Sequence, residues 1–198
     1  MSERGMRTVN ALLRHELRML VSLALWVARR THGSGGGREF GYTRGQGPMA
    51  WGLACVCVIE TVAMSVLLRG VPAAHAVMLA VDVYTVVFVV GLHAASVVRP
   101  HVLGPGTLRI RQGLHADLCV PLERISSVRR ELRTTHQRTE GELDLPVGSR
   151  TSITLELAEP VTHVSLLGRC RSVRTVRLHA DDADGLVRAL APETGSPR

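Results

Sequence analysis

The hydrophobic rhythm of the chain changes three times. Residues 7–30 contain neither proline nor glycine, and Arg7, Arg14, Arg18, Ser22 and Arg29 recur at spacings of 7, 4, 4 and 7. At ~100° per residue they form one polar stripe, opposite Leu13, Leu17, Leu20, Ala24 and Val27. This predicts an amphipathic helix lying in a membrane interface. Two other placements stay open: a helix packed on the C-terminal part, and a third spanning helix that would have to bury Arg14, Glu16 and Arg18. Arg29 and Arg30 stand where a signal peptide would need small residues. Residues 31–48 read as a Gly-rich linker. The run from Gly33 to Gly37 has no strand before it and lacks the spacing of a dinucleotide fingerprint.

The second rhythm is apolar all round. Residues 49–68 carry one charge, Glu60, and residues 75–98 carry one, Asp82. Each stretch reaches the ~20 residues that a helix needs to cross a bilayer. The connection, residues 69–74, holds Gly70 and Pro72 and suits a tight hairpin turn. The expectation is a transmembrane hairpin. A charged carboxylate inside it costs at least ~2.5–3.5 kcal/mol. Glu60 and Asp82 differ in depth by only ~5–6 Å at the helical rise. They are therefore expected to face each other or a second copy, bonding to Thr61, Ser65 or Thr85 as neutral groups.

The third rhythm is alternation. Leu108 and Ile110 oppose Arg109 and Arg111, Val128 and Leu132 oppose Arg129 and Arg133, and Ile153, Leu155 and Leu157 oppose Thr154 and Glu156. Residues 116–120, 161–167 and 173–178 are further strand candidates, and residues 121–128 suit a short helical turn feeding a strand. Residues 137–150 are polar and read as a loop. Asp181, Asp182 and Asp184 open a last helix over 185–191, where acids suit the helix dipole. The predicted fold class is thus a membrane α-helical hairpin plus an α+β module of five to seven antiparallel strands closed by a C-terminal helix. The predicted division is 1–48 (helix and linker), 49–98 (hairpin), 99–192 (module) and 193–198 (flexible tail).

Composition sharpens this picture. The chain has 198 residues and a net charge of +7, and all 24 of its basic residues are arginine. Without lysine there is no P-loop or Schiff-base chemistry. Aromatics are 3%, too few for a stacking platform, so nucleic acid is not an expected partner. One arginine, Arg69, lies at the hairpin tip, whereas Arg29, Arg30, Arg38, Arg44, Arg99, Arg109 and Arg111 flank its base. This places both termini in the cytoplasm of a multi-pass membrane protein. Cys55, Cys57, Cys119 and Cys170 form no C-x-x-C, and the nine histidines no metal-ligand spacing, so neither metal nor cofactor is expected. No nucleophile–base pattern suggests an enzyme. Arg109, Arg111, Arg129, Arg130 and Arg133 are the candidate contacts for anionic headgroups.

Three stretches carry a resemblance: residues 108–113 (L-R-I-R-Q-G), residues 121–128 (P-L-E-R-I-S-S-V) and the acid-capped helix of residues 181–190. In this order they resemble the bacterial pleckstrin-homology-like modules that follow membrane helices, as in membrane proteins of actinobacteria. The resemblance covers residues 100–191. It implies a bent antiparallel sheet closed by a helix and no defined ligand. The expected function is that of a membrane-anchored adaptor or organising component. Its partners would be the bilayer, anionic headgroups, and a protein partner or a second copy met through the hairpin. The alternative is a small transport or proton-handling subunit using Glu60 and Asp82.

Overall fold

The computed structural model describes residues 3–33, 35–134, 139–164 and 170–194, with side chains from residue 13 to residue 191. Helix α1 (Glu3–Val27) ends at a left-handed residue, Arg29, with Arg29 and Arg30 donating backbone hydrogen bonds back to Trp26 and Leu25. Strand β1 (Arg38–Phe40) follows, and then α2 (Gly47–Leu67) and α3 (Pro72–Val98). Proline occupies the first turn of both α2 and α3, where its missing N–H costs nothing. Both helices are long and apolar enough to cross a membrane, and few of their residues are buried within the chain.

Seven strands and a helix make up the rest: β2 (His101–Gly104), β3 (Thr107–Gln112), β4 (Ala116–Pro121), β5 (Ile125–Arg133), β6 (Glu142–Leu145), β7 (Thr151–Val164), β8 (Cys170–Leu178) and α4 (Ala183–Thr194). A single 3-10 turn, Leu122–Arg124, links β4 to β5, as the P-L-x-x-I pattern predicts. The strands form two four-stranded sheets, ordered β1-β2-β3-β4 and β5-β7-β8-β6. Between them lies one core, built from Leu108, Ile110, Val120, Ile153, Leu155, Val176, Leu178, Leu186 and Leu190, all fully buried. The alternation predicted for β3 and β7 delivers these side chains to one face, whereas in β5 it fails, because the register shifts between Arg130 and Arg133 and Leu132 is exposed.

The structure corrects the sequence reading in four places. Residues 31–48 are more than a linker. β1 pairs antiparallel with β2 (Arg38↔Leu103, Phe40↔His101), and Phe40 joins the module core. At Gly37 a β-carbon would lie 2.7 Å from the Leu103 carbonyl oxygen, so glycine admits this approach. The loop of residues 137–150 contains β6, which runs parallel to β8, so the sheet is not wholly antiparallel. The two candidates 151–157 and 161–167 are one strand, β7, with its register shifted between Glu156 and Val161; residues 165–167 lie outside the described residues. The tail begins later than residue 193, because α4 runs to Thr194; residues 195–198 lie outside the described residues.

The topology has one consequence for function. The hairpin α2–α3 is inserted between two paired strands. Chain that enters it at β1 leaves it at β2, and Phe40 and His101 are direct cross-strand partners.

Candidate functional site

Where the hairpin meets the first sheet, polar groups are buried and bonded to the chain itself. His101 is 2% exposed. Its Nδ1 accepts the Arg111 backbone N–H at 3.1 Å, so Nε2 carries the proton and donates to the His179 carbonyl at 2.9 Å. Burial pushes its pKa down to about 4, and the nearby Arg111 and His179 add to this. Tyr42 stacks beside it, with ring centroids 4.8 Å apart, and the Tyr42 hydroxyl accepts the Gly113 N–H at 2.6 Å. Burial raises the Tyr42 pKa.

The Arg111 guanidinium is 3% exposed. It donates to the carbonyls of His32 at 2.6 Å and Gly33 at 3.3 Å. The His32 N–H donates in turn to the Val98 carbonyl at 2.8 Å, tying the Gly-rich segment to the end of α3. Asp117 takes both ends of the Arg109 fork at 2.7 Å. Burial pushes the Asp117 carboxyl up, but Arg109, Arg111 and Arg99 together hold it below the usual range. Farther along, Arg44 N–H donates to the Asp181 carboxylate at 3.0 Å. Asp182 caps α4 through the Gly185 N–H at 2.8 Å, and Asp184 pairs with Arg130 at 2.8 Å. The three acids therefore serve three different ends, beyond the common dipole role expected of them.

The outer face of the second sheet is a charged ladder. Arg129 pairs with Glu156, and Arg133 lies 3.3 Å from Glu131. Thr154 donates to Glu131 at 2.9 Å. Arg177 grips Glu142 with both Nη atoms, at 2.6 and 2.8 Å, and reaches Asp144 at 3.2 Å. The Glu142 pKa is lowered, first by that hydrogen bond, and the Arg177 pKa is raised by it. Together these side chains line a shallow groove of about 410 Å³.

The five arginines expected to touch headgroups are thus not one patch. Arg109 and Arg111 belong to the first sheet, Arg129, Arg130 and Arg133 to the second, and each has a carboxylate within ion-pair distance. On α1, the face formed by His15, Met19, Ser22 and Trp26 turns inward, while Leu13, Leu17, Leu20 and Val27 are exposed beside Arg14 and Arg18. Met19 packs on Gly91 of α3, where a β-carbon would come within 2.7 Å of Met19 Cγ. Arg29 lies past the end of α1, and the side chain of Arg7 lies outside the described residues.

In the hairpin, Glu60 is exposed, while Asp82 lines a crevice between α2 and α3 with Thr61, Ser65 and His75. The two carboxylates therefore do not share a site. Nor are the hydroxyls idle: Thr61 donates to the Cys57 carbonyl, Thr85 to the Val81 carbonyl, and Ser65 meets His75 Nε2 at 2.8 Å. The crevice has no room for a water molecule.

Phe40, Asp117 and Arg177 are the residues that sequence reasoning missed; Arg99 entered it only as a charge at the hairpin base, and Tyr42, whose place before α2 suits an interfacial aromatic, is instead buried beside His101. The aromatic pair in F-G-Y, in a chain with only two Phe and two Tyr, was the available signal. The chain matches no protein-family profile, no curated protein and no solved structure.

Proposed function

We propose that this chain is an integral membrane protein that spans the bilayer twice and holds a pleckstrin-homology-like module rigidly at the cytoplasmic face. It acts there as a non-catalytic adaptor or organising component. The observation that carries this reading is the insertion of an exposed apolar hairpin between two paired strands of the module. Exposed apolar helices need a cover, and a bilayer of matching thickness supplies one. The exposed Leu13, Leu17 and Leu20 strip of α1 suits a helix lying in the interface while its other face packs on α3. Arginine asymmetry about the hairpin supports cytoplasmic termini. Two sheets over one core closed by a C-terminal helix support the pleckstrin-homology-like reading, from which the parallel β6 departs.

In this arrangement the second sheet's charged ladder is the face left for a protein partner, because its self-paired arginines and acids offer both signs of charge. No observation favours the transport alternative, since the Asp82 crevice is closed to water. The test is topological. Reporter fusions at residue 72 and at the C-terminus should report opposite sides, with the C-terminus inside. An external C-terminus, or release of the chain by alkaline carbonate, rejects the reading.

A further inference from the structure

We propose that two copies of this chain pair within the bilayer along the outer face of α2, where their Glu60 carboxyls bond to each other. The inference rests on the membrane reading above and commits it to one partner, a second copy of the chain. Two faces of α2 differ in what they meet. Thr61, Met64 and Ser65 turn toward α3 and line the crevice that holds Asp82. Met49, Leu53, Val56, Glu60, Ala63 and Leu67 run along a separate face, and all six are exposed. Their spacing is 4, 3, 4, 3 and 4, the seam of a left-handed helix pair. Since α2 is apolar nearly throughout, apolar spacing alone selects no face; the exposed carboxyl does. Helix α1 packs on α3 and meets α2 at Trp51, which lies ~180° around the helix from Glu60, so it leaves this seam uncovered.

Glu60 needs a partner that its own chain does not supply. It lies ~10 Å inside the nearer end of α2, beyond the reach of its short side chain to the headgroups. Among the described residues none forms a hydrogen bond or ion pair with it. Hydrocarbon offers no bond in place of water, so a polar side chain facing lipid at this depth calls for a polar neighbour. Insertion gives every copy the same orientation, so two copies pair in parallel about a twofold axis along the bilayer normal. That axis sets each seam residue against itself at equal depth, and Glu60 meets Glu60. A protonated carboxyl both donates and accepts, so the two satisfy one another. Ala63 follows on the same face and is small enough to let the backbones approach there. One polar position in an otherwise apolar seam also fixes register and the number of helices. A helix of another protein would have to carry a polar group at this one depth, whereas a second copy carries it by construction.

The test uses the full chain in liposomes of phosphatidylcholine and phosphatidylglycerol. Energy transfer between labelled copies is followed as lipid is added, and carbonate resistance checks insertion separately. Wild type should dimerise, and Glu60→Ala should weaken the dimer about tenfold, as expected for lost hydrogen bonds between membrane helices. That substitution makes α2 more apolar, so it does not hinder insertion. Glu60→Gln keeps a donor and an acceptor and should stay near wild type, and Asp82→Asn should leave the dimer unchanged. Oxidative cross-linking then locates the seam. With the native cysteines replaced, Ala63→Cys should give a covalent dimer, and Val62→Cys, ~100° around the helix, should not. A wild type that stays monomeric at every dilution, or an unchanged dimer in Glu60→Ala, overturns the proposal. So does a loss in Glu60→Gln or Asp82→Asn equal to that in Glu60→Ala, or equal cross-linking at 62 and 63. Cross-linking of Ala63→Cys in native membranes to a different protein, in place of a second copy, overturns it as well. Failure of wild type to insert rejects the membrane reading instead.

Discussion

Arg111 and Arg129 are the same residue type, each on the face of its strand that points away from the core, yet they end in opposite environments. The Arg111 side chain is 3% exposed and binds the chain's own carbonyls; that of Arg129 is 63% exposed and meets Glu156 on the neighbouring strand. The difference lies in what covers each strand's outward face. Arg111 is roofed by His32, Gly33 and the base of the hairpin, so its guanidinium is desolvated and must find internal partners, whereas Arg109 on the same face stays 46% exposed with Asp117. Arg129 has no such roof and pairs with Glu156 in solvent, while Arg177 on the same sheet is 11% exposed and held by Glu142. Exposed pairs contribute only ~0–1 kcal/mol each. In this protein, therefore, the charge of Arg111 is architecture, and that of Arg129 is available to something else.

The contrast breaks most sharply at Phe40. Phe40→Ala removes a buried ring that reaches the module core from the far side of the hairpin, and should cost ~3–5 kcal/mol. The thermal midpoint of the full chain in detergent reads this. An unchanged midpoint would mean that β1 is dispensable. The same logic predicts that residues 100–191 expressed alone are less stable than a chain in which residues 37–44 are joined to residue 99 by a short Gly-Ser linker. Amide dispersion in the two fragments checks it.

Next in size is acid. His101 is neutral in the fold, with a pKa near 4 against an unfolded value of 6.5. Its folded pKa is the lower one, so its contribution is fully present above pH 6.5 and is lost as pH falls toward 4. A shift of this size corresponds to ~3 kcal/mol. His101→Gln should flatten that part of the stability profile in urea unfolding at stepped pH. An identical slope in wild type and variant would show that His101 does not carry it. Burial lowers His179 as well, and His32 also sits below its ordinary value, so both push in the same direction.

Arg111→Met comes third, at ~2 kcal/mol, because it strands two carbonyl acceptors. It should also speed proteolysis at His32 and Gly33, whose carbonyls the guanidinium holds; equal cleavage rates would remove that role. Arg129→Gln is the smallest effect, below ~1 kcal/mol. If it matched Arg111→Met, burial would not separate these two arginines.

Some of this was legible in the sequence because its causes are local. A fifty-residue stretch nearly free of charge marks α2 and α3, and period-two alternation marks β3 and β7 but misplaces Leu132 in β5. β1 was illegible because it is three residues long, lies in a Gly-rich segment, and pairs with a strand beyond the whole hairpin. β6 was hidden for a similar reason, since the partner that makes its polar stretch a strand is β8. Ala158, Glu159 and Pro160 read as a break, whereas β7 carries its irregularity there and continues. The arginines themselves could be named as candidates. Which acid each would meet depends on cross-strand register, and composition does not encode register.

The pairing of β1 with β2 also dictates an order of events during synthesis. β1 leaves the ribosome more than fifty residues ahead of its partner, and α2 and α3 come out between them. Phe40 thus has no core to enter until both helices and β2 have emerged. The core itself waits longer still, for Leu186 and Leu190 near the end of the chain. Under the proposed topology insertion precedes folding of the module, and a ribosome stalled within residues 105–180 would leave an anchored but open half-sheet, the sort of nascent species on which quality-control proteases act.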